Sequence, residues 1–384
     1  MRLLSILAGL LAGLLLLGAI ATRWADATAI SALLPTRIAS IMAGLGAGVL
    51  GLACAARAGR HGWAVALIVI VAALANALPV SWPYRSSDIV FASGEIELEG
   101  TVFRPVGEPV AGVVFLHGSG PETRRAFAYH AKQLARRGIA AFAYDKRGTG
   151  GSQGSSWVHY EVLAGDAAAA LSALEAAFPS LAGRSGYFGH SEGGWVVPVA
   201  AALERPAFIV VTGTTPMTPA EQVLYQSVSE VTAGYGEEAG GRARALQHDV
   251  LEYQRSGRAR EGLEADLIAA SDEPWFDAAR LPDRLYEHAD YAWWTSVMDF
   301  DPAPWWARVE APVLAVWGGR DDRSDPRQSL DGLSELVASP FEAEIYPLAD
   351  HMVLLWPNSE DVPPPAFPEG FMGRVADWIE QQTR

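Results

Sequence analysis

The sequence predicts an α/β fold: a mostly parallel, doubly wound sheet with a helical cap insertion, preceded by three transmembrane helices. Three observations carry this. From about residue 88, short apolar runs ending in glycine alternate with stretches of helical spacing. The alternation breaks over residues 214–308, far longer than an ordinary αβ connection of roughly 2 to 6 residues. Finally, residues 1–87 are dominated by three long apolar stretches.

Those stretches, residues 3–21, 38–56 and 63–80, contain no charged side chain and are each close to the roughly 20 residues that cross a hydrocarbon core. The first also has the Arg2 start and "AIA" ending of a secretory signal, so its cleavage stays open. Arg57 and Arg60 in the short loop "RAGRHG", together with Arg2, place that loop inside the cytoplasm. The third span then exits outward, and the remainder is expected outside the cytoplasm of a bacterial inner membrane. The chain carries −15 overall, and the segment after residue 88 carries about −19, which excludes nucleic acid as a partner. Cys54, the single cysteine, lies in the second span, so no intrachain disulfide can form. "GAGVLG" at residues 46–51 matches a dinucleotide fingerprint, but no strand precedes it; Gly44 and Gly48 suit close helix packing instead.

Beyond residue 88, "VAGVVFLHGSG" reads as a buried strand ending in glycines. "RRAFAYHAKQLARRG" is a helix with Gly138 as its stop, and "IAAFAYD" is the next strand. "VLAGDAAAALSALEAAF" is a helix, "SGYFG" a strand, "EGGWVVPVAAAL" a helix, and "AFIVVTG" a strand. After the insertion come the strands "APVLAVWGG" and "FEAEIYPLAD" and the closing helix "FMGRVADWIEQQ". The domains are thus a membrane segment at 1–87, a core at 88–213 and 309–384, and a helical cap at 214–308. The cap holds Trp275, Trp293, Trp294, Trp305 and Trp306. Such residues either pack cap helices together or line an apolar acyl pocket, with Trp293 and Trp294 the pocket candidates.

Two G-x-S-x-G matches occur, at Ser152 and Ser191. Ser191 directly follows a strand and directly precedes a helix, whereas Ser152 lies within a glycine-rich loop. Only the first context holds a serine on a sharp turn with its oxygen exposed, the small Gly189 and Gly193 keeping side chains away. A serine hydroxyl needs a base, and in this chain order the base follows the nucleophile. His248 and His288 fall in the cap, while His351 follows the last strand, at the end of the sheet where ligands bind. An acid is expected between them in "GGRDDRSDP", which offers Asp321, Asp322 and Asp325. "HGSG" after the first buried strand provides the Ser119 N–H, which with the Glu192 N–H suits an oxyanion hole.

With "LHGSGPETR", "YDKRGTGGS", "GHSEGG", "WWTSVMDFDP", "WGGRDD" and "DH" in this order, residues 90–381 resemble an α/β-hydrolase of the bacterial esterase and serine-aminopeptidase-like group. The resemblance implies Ser191 as nucleophile, Asp321 as acid, His351 as base, and the Ser119 and Glu192 amides as oxyanion hole. It also implies that "YDKRGTGGS" braces the strand beneath the site. The polar, acidic "GGRDDRSDP" and the three apolar spans depart from the family pattern.

The expected activity is hydrolysis of carboxylic esters, or by the same chemistry thioesters and amides, through an acyl-enzyme. The substrate partner is a small-molecule or lipid-like acyl compound. Peptidase and acyltransferase chemistry use the same triad, and a non-catalytic membrane scaffold would predict decay of a catalytic position. There is no HExxH, cysteine pair or phosphate loop, so neither a metal nor an organic cofactor is expected.

Overall fold

The computed structural model describes residues 84–356 and 366–384. The three apolar stretches lie outside these residues. Among the described residues no helix is long and apolar enough to cross a membrane.

One eight-stranded sheet organises the domain. β1 (Tyr84–Ser93) and β2 (Ile96–Pro105) form an antiparallel hairpin, and β2 pairs antiparallel with β4 (Ile139–Tyr144). From β4 onward all neighbours are parallel, through β3 (Ala111–Leu116), β5 (Ser185–His190), β6 (Ile209–Thr212), β7 (Val313–Gly318) and β8 (Phe341–Tyr346). The spatial order is β1-β2-β4-β3-β5-β6-β7-β8.

Strands β3 to β7 are buried at every residue, which is why they read as unbroken apolar runs. Their side chains alternate between faces. Val114, Leu116, Phe142, Tyr187, Val211 and Trp317 pack with α2 (Tyr160–Ala177) and α3 (Gly193–Leu203). Val113, Phe115, Ala141, Phe188, Val210 and Val316 pack on the other face with α1 (Ala128–Ala135) and the last helix, α10 (Phe371–Gln382). This is the doubly wound arrangement that the sequence predicts.

The hairpin extends the core at its start. β1 begins at Tyr84, so residues 84–87, assigned by sequence to the membrane segment, belong to the sheet. Neither hairpin strand is among the elements predicted from sequence above, although β1 carries the short apolar run at residues 89–92 and β2 alternates buried and more exposed residues.

Between β6 and β7 stand α4 (Pro219–Tyr235), α5 (Glu237–Ser256), α6 (Arg260–Ala270), α7 (Ala292–Val297) and α8 (Ala303–Trp306). Thr218 and Glu221 form a capping box at the start of α4. Trp275, Phe276, Leu246, Val250 and Leu285 give the cap its own core. Trp306, in contrast, is fully buried in the core on the α2 and α3 face of the sheet. Val297 of α7 packs in the same cluster, so the end of the inserted segment is joined to the sheet core.

His130 is buried among Phe115, Phe127, Phe188 and Phe367, and burial lowers its pKa to about 4. The folded protein keeps this imidazole neutral, while the unfolded chain takes up a proton near pH 6.5. Its contribution is therefore fully present above pH 6.5 and is lost as pH falls towards 4. Between pH 7.5 and pH 5 this one histidine is expected to cost about 2 kcal/mol. Denaturant midpoints should accordingly fall less with acidification in His130→Phe than in the wild type, and parallel curves would refute the assignment.

Candidate active site

Ser191 occupies the turn between β5 and α3 with φ of 51°, a left-handed conformation that non-glycine residues rarely adopt. The Ser191 N–H donates to Thr212 O at 3.0 Å, and Ser191 O accepts from Gly194 N at 2.8 Å. Close approach explains the flanking glycines. A Cβ at Gly189 would stand 2.7 Å from Gly193 O, and one at Gly193 would stand 2.6 Å from Leu116 O. The turn can close only with hydrogens at both positions.

His351 is 3 % exposed in the loop after β8. Its Nδ1 lies 2.9 Å and 2.8 Å from the two carboxylate oxygens of Asp321. Asp321 also accepts from the N–H groups of Arg323 and Ser324, at 2.8 Å and 3.0 Å, and from Ser324 Oγ at 2.9 Å. These donors hold the carboxylate in one orientation, facing the imidazole. The other ring nitrogen, His351 Nε2, is buried without a hydrogen-bond partner among the described residues. His351 and Ser191 line one cavity of about 430 Å³.

The competing aspartates have other duties. Asp325 accepts from the N–H groups of Arg327 and Gln328 and caps α9 (Pro326–Leu336). Asp322 is exposed, its backbone carbonyl accepts from Ser229 Oγ, and burial and then the neighbouring Glu230 raise the pKa of its carboxyl. Ser152 is likewise occupied, donating to Asp145 O at 2.7 Å and accepting from Glu99 N at 3.0 Å. The Asp145 carboxylate in turn takes two bonds from the Arg124 guanidinium, plus the N–H groups of Arg124 and Gly151. "YDKRGTGGS" is thus a hydrogen-bonded brace at the end of β4.

Ser119 and Glu192 line the same cavity as Ser191. Among the described residues, no hydrogen bond uses the backbone N–H of either. His190 donates to or accepts from Thr212 Oγ1 at 3.0 Å, and its ring centroid lies 5.1 Å from that of His351. Burial first, and then His351, push its pKa well below the ordinary histidine value, so it stays neutral beside the working imidazole.

Trp293 and Trp294 both line the cavity. Each is also anchored, Trp293 Nε1 to Val158 O at 3.0 Å and Trp294 Nε1 to Gln254 Oε1 at 2.8 Å, so lining and packing coincide here. Trp275 and Trp306 serve packing alone, buried in the cap core and the sheet core. Sequence reasoning missed Trp157, Gln222, Gln226 and Arg323, which also reach the cavity. Trp157 follows the glycine-rich loop and packs edge-on against Trp293 at 4.7 Å, a contact between residues distant in sequence. It also missed the partner of the buried Glu192 carboxylate, Lys146, although both stand in motifs singled out above. Their pairing across two strands has no local signal.

Ser191 in its elbow, the His351 of the buried Asp321–His351 pair, and Ser119 and Glu192 thus line one cavity on a mostly parallel α/β sheet, an arrangement compatible with a serine hydrolase. The family model described as serine aminopeptidase, S33, matches residues 107–357, well over half of the 384 residues, and the chain belongs to that family. Among solved structures the chain is similar to an esterase of Pyrococcus furiosus, with 15 % identity, a TM-score of 0.50, and 80 % of this chain and 94 % of the other covered. It is also similar to proline iminopeptidase of Mycobacterium smegmatis, with 17 % identity, a TM-score of 0.50, and coverage of 77 % and 99 %. Both likenesses concern the fold. No curated protein sequence matches significantly.

The three aspartates are separable by substitution. Asp321→Asn keeps the shape but presents the wrong group to His351 Nδ1, and the expected loss in kcat is about 10⁴. Asp322→Asn and Asp325→Asn are expected to stay within about tenfold, since asparagine caps a helix as well as aspartate does. Steady-state kinetics with a melting-temperature check decide it; a larger loss in either of the latter two moves the acid to that position.

Proposed function

We propose that this serine hydrolase cleaves carboxylic esters through an acyl-enzyme. The Ser191 hydroxyl attacks the carbonyl carbon while His351 Nε2 accepts its proton. The tetrahedral oxygen is held by the Ser119 and Glu192 N–H groups. His351 then returns the proton to the leaving alcohol, and water repeats the sequence to release the acid. Asp321 fixes the imidazole tautomer and stabilises its cation. The observation that carries this reading is the buried Asp321–His351 pair, whose free Nε2 shares a cavity with Ser191.

The preference for esters over peptides with a free amino terminus follows from the charges lining the cavity. Recognition of an ammonium group calls for an unspent carboxylate. Glu192 is paired with Lys146, and Glu122, whose Oε2 accepts from the Gly118 N–H at 3.1 Å, lies in the field of the same ammonium. The tryptophan-lined wall suits an apolar acyl chain. Aminopeptidase action, the description that the family bears, is the second reading, and one substrate panel separates the two.

A fluorophosphonate is expected to label the wild-type protein and Ser152→Ala but not Ser191→Ala. Turnover of p-nitrophenyl esters should exceed that of aminoacyl p-nitroanilides, and Ser191→Ala should lower it by up to about 10⁶. Labelling of Ser191→Ala at the wild-type level would sink the mechanism; faster release of p-nitroaniline would reverse the substrate order.

The three apolar stretches and their arginine-bearing loop support an anchor in a bacterial inner membrane, with the hydrolase domain outside the cytoplasm. Protease added to intact spheroplasts is expected to digest that domain. Full protection would invert the orientation.

A further inference from the structure

The side chain at position 192 has no task in the mechanism above. An oxyanion donor needs only a backbone N–H, which almost any residue supplies, yet this chain places a carboxylate there and buries it to 2 % exposure. Its partner is Lys146, 4 % exposed, at the end of β4. Lys146 Nζ lies 2.5 Å from Glu192 Oε1 and donates to Gly118 O at 3.0 Å. Burial pushes the Glu192 carboxyl up in pKa, opposed by Lys146 and by the Ser119 side chain.

The geometry of the peptide group gives these contacts a consequence. Gly118 C=O and Ser119 N–H belong to one planar peptide unit and point in opposite directions. An ammonium that grips the carbonyl from the buried side therefore aims the N–H to the other side, and by polarising the unit it strengthens that N–H as a donor. The same peptide segment is held from behind, because Gly118 N–H donates to Glu122 Oε2 and Lys146 N–H donates to Glu122 O, both at 3.1 Å. The second grip, on Glu192, reaches the residue whose own N–H is the other donor.

We propose that Lys146 is a positioning residue for the oxyanion site: one ammonium, bound to the Gly118 carbonyl and the Glu192 carboxylate, fixes the direction and separation of the Ser119 and Glu192 N–H groups. This rests on the serine-hydrolase reading of Ser191 given above. It accounts for a buried ion pair that packing alone does not require, since apolar residues of similar volume often replace such pairs without loss of stability.

The test uses the full-length protein in detergent, p-nitrophenyl butyrate as substrate and a fluorophosphonate as a second probe of Ser191. Lys146→Met leaves the buried Glu192 without its cation and is expected to lower the melting temperature. Lys146→Met/Glu192→Met removes both charges and is expected to bring the melting temperature back to within a few degrees of the wild type. In that double variant kcat and the rate of Ser191 phosphonylation should nevertheless stay about 10- to 100-fold down, with KM within about threefold, because a donor displaced by an ångström costs on the order of 10². Recovery of kcat together with stability would show that the pair serves folding alone and overturn the proposal. A wild-type protein that neither labels at Ser191 nor turns over the ester overturns the underlying reading and the clamp with it.

Discussion

The close approach of backbone at the Ser191 turn is the constraint on which the rest of the site depends. A strand from the centre of the sheet must reverse into a helix within two residues, and this is possible only because Gly189 and Gly193 leave no Cβ between α3, β5 and β3. The left-handed φ of Ser191 is a strained state. The surroundings hold it through the bonds from Ser191 N to Thr212 O and from Gly194 N to Ser191 O. Rigidity of this kind is useful in a nucleophile, whose oxygen must meet a carbonyl carbon at a fixed angle.

Around that turn the protein assembles charge in separate compartments. Asp321 and His351 form one buried unit, with every acidic oxygen satisfied by the imidazole or by residues 323–324. Lys146, Glu192 and Glu122 form another beside the Gly118–Ser119 peptide. Arg124 and Asp145 form a third, which braces the loop after β4. In a low-dielectric interior each group is stable only because its partners lie within hydrogen-bond distance, so each compartment is also rigid. His117 and His190, neutral through burial, add no competing positive charge.

The cap joins the core through aromatic contacts rather than through charge at the cavity. Trp157 from the core and Trp293 from the cap meet edge to face, and Trp293 donates to Val158 O. The wall of the cavity is therefore made by residues that also hold the two parts of the domain together.

Much of this was legible in the chain itself. The central strands are buried on both faces, so their apolar runs identify them without knowledge of their neighbours. The strand-glycine-serine-glycine-helix order identifies Ser191, because that geometry needs those small residues at those positions. Chain order and the position after β8 single out His351. What depends on contacts between distant segments was not legible. The place of the β1–β2 hairpin in the sheet is set by the pairing of β2 with β4, a contact between segments distant in sequence. Local pattern leaves Asp321, Asp322 and Asp325 open and only the family resemblance points to Asp321; in the structure it is the Asp321 carboxylate that meets the imidazole. Lys146 and Glu192 stand 46 residues apart and become partners only when β4 and β5 flank β3. Local pattern determined the elements and the Ser191 turn, because these depend on backbone geometry and burial near one point in the chain. Tertiary structure decided the partners, because a hydrogen bond or ion pair between distant residues exists only after the sheet has brought them together.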